Sequence, residues 1–301
     1  MQKIKIRLSV PLLLVLILAV LLSGCLDSFS GAKVAVIPLS GTITGDGQGT
    51  LLSLGGITPD LVRDYLDRAA SDANVKAIVL RVESPGGSAA ASQEIARDIK
   101  RFKEETGKIV VVSMGDTAAS GGYYISVYAD NIVANPSTLT GSIGVISQFY
   151  YIDGLLEKLG LEMEVIKAGE YKDMGLQPLS EEERQIMQAI IDDMYEDFVG
   201  AVAEGRGLDN NRVRELATGQ PYTGNQALEL GLVDELGGLE EAIELAAELA
   251  GLSEYRVEEY TPPAPSILDS LLGGVNSTQP LSPDELFYLK VLQGWQLEPR
   301  Y

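Results

Sequence analysis

Three short, mostly apolar runs recur along the chain: Lys33 to Leu39 with its Val34-Ala35-Val36-Ile37 centre, Ala77 to Val82, and Ile109 to Val112. They are continuous rather than alternating, the pattern of strands buried on both faces of a sheet. Between them lie stretches of helical period. Thr58-Pro59 supplies a cap and a first-turn proline for a helix over Asp60 to Ser71, and Ser88 to Thr106 is rich in Ala, Glu, Arg and Lys. Strand, helix, strand, helix predicts an α/β domain with a largely parallel sheet flanked by helices.

Further along, Ser180-Glu181-Glu182-Glu183 has capping-box spacing before a long amphipathic segment reaching about Glu204. Ile186, Ile190, Met194 and Phe198 fall on one stripe of it, read as core or as a subunit interface. Gly224 to Leu230 and Leu239 to Leu249 predict two more helices bracketing a strand-like Leu232 to Glu235. Val145 to Tyr150 and Glu162 to Ile166 also read as strands. After Tyr260 the composition changes: Pro262-Pro263-Ala264-Pro265 is a stiff linker, and one further helix is expected after Ser282-Pro283-Asp284-Glu285.

The N-terminus changes the picture. Lys3, Lys5 and Arg7 precede an apolar run from Leu8 to Leu22, the pattern of an export signal, with a run of about 15 residues against the roughly 20 that span a bilayer. Leu22-Ser23-Gly24-Cys25 resembles a lipoprotein lipobox, which would make Cys25 a cleaved, lipidated N-terminus; the alternative is a retained signal anchor. Both tether the chain to a membrane, with the leader cations on the cytoplasmic side and the body outside. The expected organisation is therefore a leader or anchor over 1–25, one catalytic domain over 33–260, and a Pro-rich linker and tail over 261–301. Cys25 is the only cysteine, so the exported body stands without disulfides, and roughly 230 residues suffice for that. The formal charge of −20 disfavours nucleic acid as a partner.

Histidine is absent from all 301 positions. A Ser-His-Asp triad is thereby excluded, as are metal sites built on His or Cys, and a carboxylate-only metal site stays open. For nucleophilic catalysis a hydroxyl paired with a lysine remains. An unperturbed lysine titrates near about 10.4, so such a base works only where desolvation frees it of its proton.

Three strand ends carry Gly-rich turns. Glu83-Ser84-Pro85-Gly86-Gly87-Ser88 joins a strand to a helix, and its paired glycines either let backbone N–H groups approach a ligand or form an ordinary turn. Gly115 to Tyr124 places Ser120 between Ala119 and Gly121, which reads either as a nucleophile on a sharp turn or as a helix N-cap. The third is Thr140-Gly141-Ser142-Ile143-Gly144-Val145. Beyond it, Lys172 lies in the nonperiodic Gly169-Glu170-Tyr171-Lys172-Asp173-Met174, whereas Lys100, Lys103 and Lys290 fall in charged or amphipathic helical contexts.

Taken in order, Ser-Pro-Gly-Gly at Ser84 to Gly87, Ala-Ser-Gly-Gly-Tyr-Tyr at Ala119 to Tyr124, Thr-Gly-Ser-Ile-Gly-Val at Thr140 to Val145 and Tyr-Lys-Asp at Tyr171 to Asp173 resemble signal peptide peptidase A in its short form. The resemblance spans most of Lys33 to Tyr260. It implies a Clp protease/crotonase-like fold and a Ser/Lys endopeptidase without cofactor or metal, tethered at the cell membrane with its catalytic domain on the extracytoplasmic side. It also implies cleaved signal peptides and other hydrophobic membrane-associated peptides as substrates. Carried over residue by residue, Ser120 is the nucleophile, Lys172 the general base, Gly87 and Gly121 the oxyanion-hole donors, and Ser142 a support for the lysine amine. Glu83 departs from the Asn or Asp that relatives often carry there. The short form further implies a ring-like homo-oligomer in which Ser120 of one subunit meets Lys172 of its neighbour. The competing readings are a crotonase-type acyl-CoA enzyme of the same fold and a non-catalytic exported lipoprotein that binds or scaffolds.

Overall fold

The computed structural model describes residues 31–45 and 56–261. The chain divides into two units, Met1–Tyr260 and Thr261–Tyr301. The expectations for the leader, for Cys25 and for the tail after Thr261 lie outside the described residues.

The three apolar runs are the centre of a sheet. β1 (Lys33–Ser40), β2 (Val75–Ser84) and β3 (Ile109–Ala119) pair in parallel, with α1 (Pro59–Ser71) and α2 (Ala89–Thr106) as the crossovers between them. β3 continues past its predicted end at Val112. Its far edge is shared by two strands in succession, β4 (Asn131–Ala134) beside Val111 to Met114 and β5 (Leu139–Gly141) beside Thr117 to Ala119. Three short strands complete the sheet around it: β6 (Pro221–Thr223), antiparallel to β5; β7 (Glu235–Leu236) on β4; and β8 (Arg256–Glu259) on the outer edge of β1. The fold is α/β with a mostly parallel sheet.

Period-two alternation divides the core. Ala35, Ile37, Leu39, Ile78, Leu80 and Val82 face the layer built from α1, α2, the short α3 (Gly121–Tyr124) and the second half of α5 (Glu181–Arg206). Val34, Val36, Ala77, Val79 and Val111 face the opposite side, where Ala242, Ala246 and Ala247 of α8 (Leu239–Leu249) cover them. The remaining helices are α4 (Asp153–Lys158), α6 (Asn210–Leu216) and α7 (Gly224–Glu229).

Helix ends follow the sequence signals. Thr58 Oγ1 accepts the Leu61 N–H, Ser88 Oγ the Ala91 N–H, and Ser180 with Glu183 forms a reciprocal capping box. Gly107 and Gly207 close α2 and α5 in the left-handed conformation.

Two predicted strands are not formed. Val145 to Tyr150 and Glu162 to Ile166 have no regular structure, and their apolar side chains stand in solvent: Ile146 is 78%, Tyr150 82% and Ile166 91% exposed. Their composition suits a strand, but no strand edge among the described residues meets them. Leu232 to Glu235 is strand only at its end, because Leu232 and Val233 leave the sheet plane to fill the core. β8 escaped sequence analysis since its Arg256-Val257-Glu258-Glu259 is largely charged. It is an edge strand whose Glu258 accepts from Lys33 Nζ at 2.9 Å.

Tyr123 ties α3 to this core. Its ring is fully buried and its hydroxyl donates to Leu232 O at 2.9 Å, while burial drives its pKa far upward, so it stays a donor. Tyr123→Phe leaves that carbonyl unpaired and should lower stability by about 1–2 kcal/mol in a urea titration, with the m-value unchanged.

Candidate active site

Ser120 occupies the turn where β3 ends and α3 begins. Its φ is 51°, and among the described residues only Ser142, at 50°, shares a positive φ without being glycine. Such a conformation costs of the order of 1–3 kcal/mol and persists where the surroundings impose it. Here the Ser120 N–H donates to Gly141 O at 2.8 Å and its carbonyl accepts from Tyr124 N–H at 2.9 Å. The side chain makes no capping hydrogen bond to α3. Of the two sequence readings, the helix cap is set aside, and the hydroxyl is left without a partner among the described residues.

The β2 turn meets this serine through backbone alone. Gly86 has φ 101°, and a Cβ there would stand 2.7 Å from Gly121 N and 2.9 Å from Ser120 Cβ. A Cβ on Gly121 would lie 2.5 Å from Ser92 Oγ and 3.2 Å from Gly87 N, and one on Gly87 would overlap Ile43 O. Glycine at these three positions permits the two turns to touch. Ile43 N–H donates to Gly86 O and Ser88 N–H to Ile43 O, which fixes the loop on both sides of Gly87. The N–H groups of Gly87 and Gly121 themselves have no hydrogen-bond partner among the described residues. Two such donors on adjoining turns can receive an oxygen that is gaining charge.

Ser142 follows β5 directly. Its N–H donates to Gln220 O at 3.0 Å and its hydroxyl to Gly219 O at 3.1 Å. Ser120 and Ser142 line one cavity of about 560 Å³, with Gln188, Ile191 and Tyr195 of α5 opposite. A second cavity of about 440 Å³ adjoins it at Ser120 and shares Gly144, Val145, Ile146 and Ile191; its α5 side is apolar, with Met187, Ile190, Met194 and Phe198, and Tyr124 of α3 beside them. The α5 stripe is thus divided. Phe198 is core and packs at a tilt against Tyr124 with centroids 4.9 Å apart, while Ile190 and Met194 present apolar surface to the cavity.

Lys172 lies apart from this cluster within the single chain. It is exposed, in a turn whose Lys172 N–H reaches Gly169 O at 3.4 Å, and it lines neither cavity at Ser120. Asp173 is engaged by Lys167, and that hydrogen bond holds its carboxyl below the usual range. The structure therefore brings together Ser120, Gly87, Gly121 and Ser142 and leaves Lys172 on a separate, exposed segment.

Two side chains at the site were not singled out from sequence. Ser84 is fully buried and its hydroxyl accepts the Gly86 N–H at 3.1 Å. Its signal was legible, since a serine two residues before a turn amide is the spacing of an ST-turn. Ser92 is buried beside Gly121, with its hydroxyl donating to Ser88 O at 2.9 Å. Nothing in its helical context marks it.

The family model for peptidase family S49 matches residues 102–253. The chain belongs to peptidase family S49. It is 44% identical over 224 residues to a protein named as a protease from Synechocystis sp., covering 74% of this chain and 80% of that relative. It is 39% identical over 250 residues to a protein of Enterococcus faecium named for signal peptide peptidase SppA, covering 82% and 72%. A solved structure of the 1510-N membrane-bound stomatin-specific protease, in complex with a substrate peptide, superposes with a TM-score of 0.52 at 19% identity over 81% of this chain and 98% of that one, which speaks for the fold. This S49 protein is a serine peptidase, and the acyl-CoA and scaffold readings of the sequence give way to that.

In this S49 peptidase, Gly86→Ala would wedge a methyl group between the two turns in a strained conformation. It should cost about 1–3 kcal/mol in denaturant unfolding and, by displacing Ser120, about 100-fold in peptidase activity.

Proposed function

We propose that this S49 peptidase is a membrane-tethered Ser/Lys endopeptidase that cleaves hydrophobic peptides, including signal peptides left after export, on the extracytoplasmic side. The observation that carries the reading is the strained Ser120, its hydroxyl free, beside two unpartnered amides at the mouth of an apolar cavity. Ser120 Oγ attacks the peptide carbonyl. Gly87 and Gly121 N–H hold the developing oxyanion, each worth about 3–4 kcal/mol in the transition state. An uncharged Lys172 amine takes the serine proton and returns it to the leaving amine, and water then releases the acyl group. Ser142, which lines a cavity with Ser120, supports that amine in this reading. A side chain resting on Ile190 and Met194 would be apolar, which suits a hydrophobic segment. The relative from Enterococcus faecium is named for cutting signal peptides, and that name supports the substrate class.

Tethering rests on the leader sequence, Lys3 to Cys25, which lies outside the described residues. Among the described residues no helix is long and apolar enough to cross a membrane.

The base comes from a neighbouring copy in a ring-like homo-oligomer. Support for this lies in the segment from Ile146 to Leu176, which carries Lys172 away from Ser120 of its own chain and exposes Ile146, Tyr150, Leu155, Leu159 and Ile166 to solvent. An exposed apolar stretch of this kind marks an interaction surface.

A fluorophosphonate probe should label wild type at Ser120, faster as pH rises because the base must be uncharged, and should leave Ser120→Ala unlabelled. Labelling retained in Ser120→Ala, or a rate flat from about pH 5 to 10, refutes the assignment. Mixing inactive Ser120→Ala with inactive Lys172→Ala should restore partial activity, at most about a quarter of wild type for paired sites formed at random. No recovery after verified subunit exchange removes the shared site.

A further inference from the structure

Between Val82 and Ser84 the β2–β3 ladder is interrupted. Val82 pairs with Met114 and Ser84 with Ala118, so the single residue Glu83 on β2 faces three on β3: Gly115, Asp116 and Thr117. An insertion of this kind leaves strand amides without ladder partners and bends the strand, and such bulges re-aim side chains beside active sites. The Glu83 carboxylate takes up the slack. Oε2 accepts the Asp116 N–H at 2.6 Å and Oε1 the Thr117 N–H at 3.0 Å, so each oxygen holds one of the amides that the ladder leaves out. Gly115 makes room for it, because a Cβ there would overlap Glu83 Oε2. From the opposite edge, Thr138 Oγ1 donates to Gly115 O at 2.6 Å and Thr140 Oγ1 to Ala118 O at 2.7 Å.

Beyond this bulge the two strands share one more pair, Ser84 with Ala118, before they part into the turns of the site. One residue beyond Glu83, Ser84 begins the turn that carries Gly86 and Gly87; three residues beyond Thr117 stands Ser120. The Gly87 amide and the Ser120 hydroxyl thus reach the site from different strands, and across the break in the ladder the Glu83 side chain links the two, in addition to the backbone contact at Gly86.

We propose that Glu83 is a positioning residue: its carboxylate clamps the β3 bulge and sets Ser120 against the Gly87 and Gly121 amides. The assignment rests on Ser120 being the nucleophile. Glu83 touches neither the reacting atoms nor either cavity wall at Ser120, so its effect appears in the chemical step and not in substrate binding. Glu83→Gln keeps the shape but has one acceptor oxygen where two are used, and turns an N–H₂ group toward a backbone N–H.

The test measures fluorophosphonate labelling rate at Ser120 together with kcat and KM on a fluorogenic hydrophobic peptide, at a temperature where circular dichroism reports folded protein. Glu83→Gln should lose at least about tenfold in labelling rate and in kcat, with KM within about twofold, the mark of sub-ångström misplacement. Gly115→Ala, which pushes the carboxylate away from the other side, should show the same split and decides the matter if Glu83→Gln does not fold. Wild-type labelling and turnover in the folded variant overturn the clamp alone, as does a loss confined to KM. Absence of wild-type labelling at Ser120 overturns the nucleophile assignment and the clamp with it.

Discussion

The contact on which the site depends is between two stretches of bare backbone. Gly86 and Gly87 at the end of β2 approach Ser120 and Gly121 at the end of β3 so closely that no side chain fits between them, and a Cβ on Gly122 would likewise press on Ser84 O. Van der Waals contact between main chains is short and poorly compressible, so it defines position better than side chains that change rotamer. Parallel strands bring it about. Neighbours that run the same way end on the same edge of the sheet, and both turns therefore open at the carboxyl end, the usual place for a site in an α/β fold.

Holding that contact has a cost, and the surrounding hydrogen bonds meet it. Ser120 and Ser142 both sit at positive φ, and each is fixed by a bond to a neighbouring strand or loop, Ser120 N–H to Gly141 O and Ser142 N–H to Gln220 O. Ser84, Thr138 and Thr140 add side-chain bonds to the same region from buried positions. Each such bond contributes about 1 kcal/mol net, so three to five of them match the strain of two residues. The strain is thus supported locally, and the rest of the sheet need only stay rigid.

Much of this was legible in the sequence, for reasons that differ from element to element. β1, β2 and α8 are readable because burial on two faces or on one stripe imposes a period, and the turns because Gly, Pro and Ser mark conformations few residues adopt. By resemblance the four motifs join Ser120, Gly87, Gly121, Ser142 and Lys172 in one site; within the single chain the first four are neighbours and Lys172 stands apart. β4 and β8 were missed, the one too short and the other too charged to show a period. Val145 to Tyr150 and Glu162 to Ile166 misled in the opposite sense: their residues favour a strand, but strand formation requires a partner edge, and partner edges are not written in local sequence. The β3 bulge is a harder case. Its two extra residues are visible only as register, and in sequence Glu83 stands out only as a departure from the Asn or Asp of relatives, with nothing to place its oxygens on the amides of Asp116 and Thr117.

The lack of histidine connects this geometry to substrate choice. In the proposed Ser/Lys mechanism the lysine must act uncharged, which needs surroundings that disfavour its charged form, and water is the chief obstacle. Ser120 lines two cavities, both walled in part by α5, and the one that carries Met187, Ile190, Met194 and Phe198 is the more apolar. A polar peptide would leave the apolar wall wet and the amine solvated. A hydrophobic segment laid on Ile190, Met194 and Tyr124 would expel water from the same space in which the proton has to move, so binding and activation of the base become one event. Under the proposed mechanism the α5 stripe, which from sequence read as core or interface, has a third reason to be apolar: a substrate resting on it dries the space around the base.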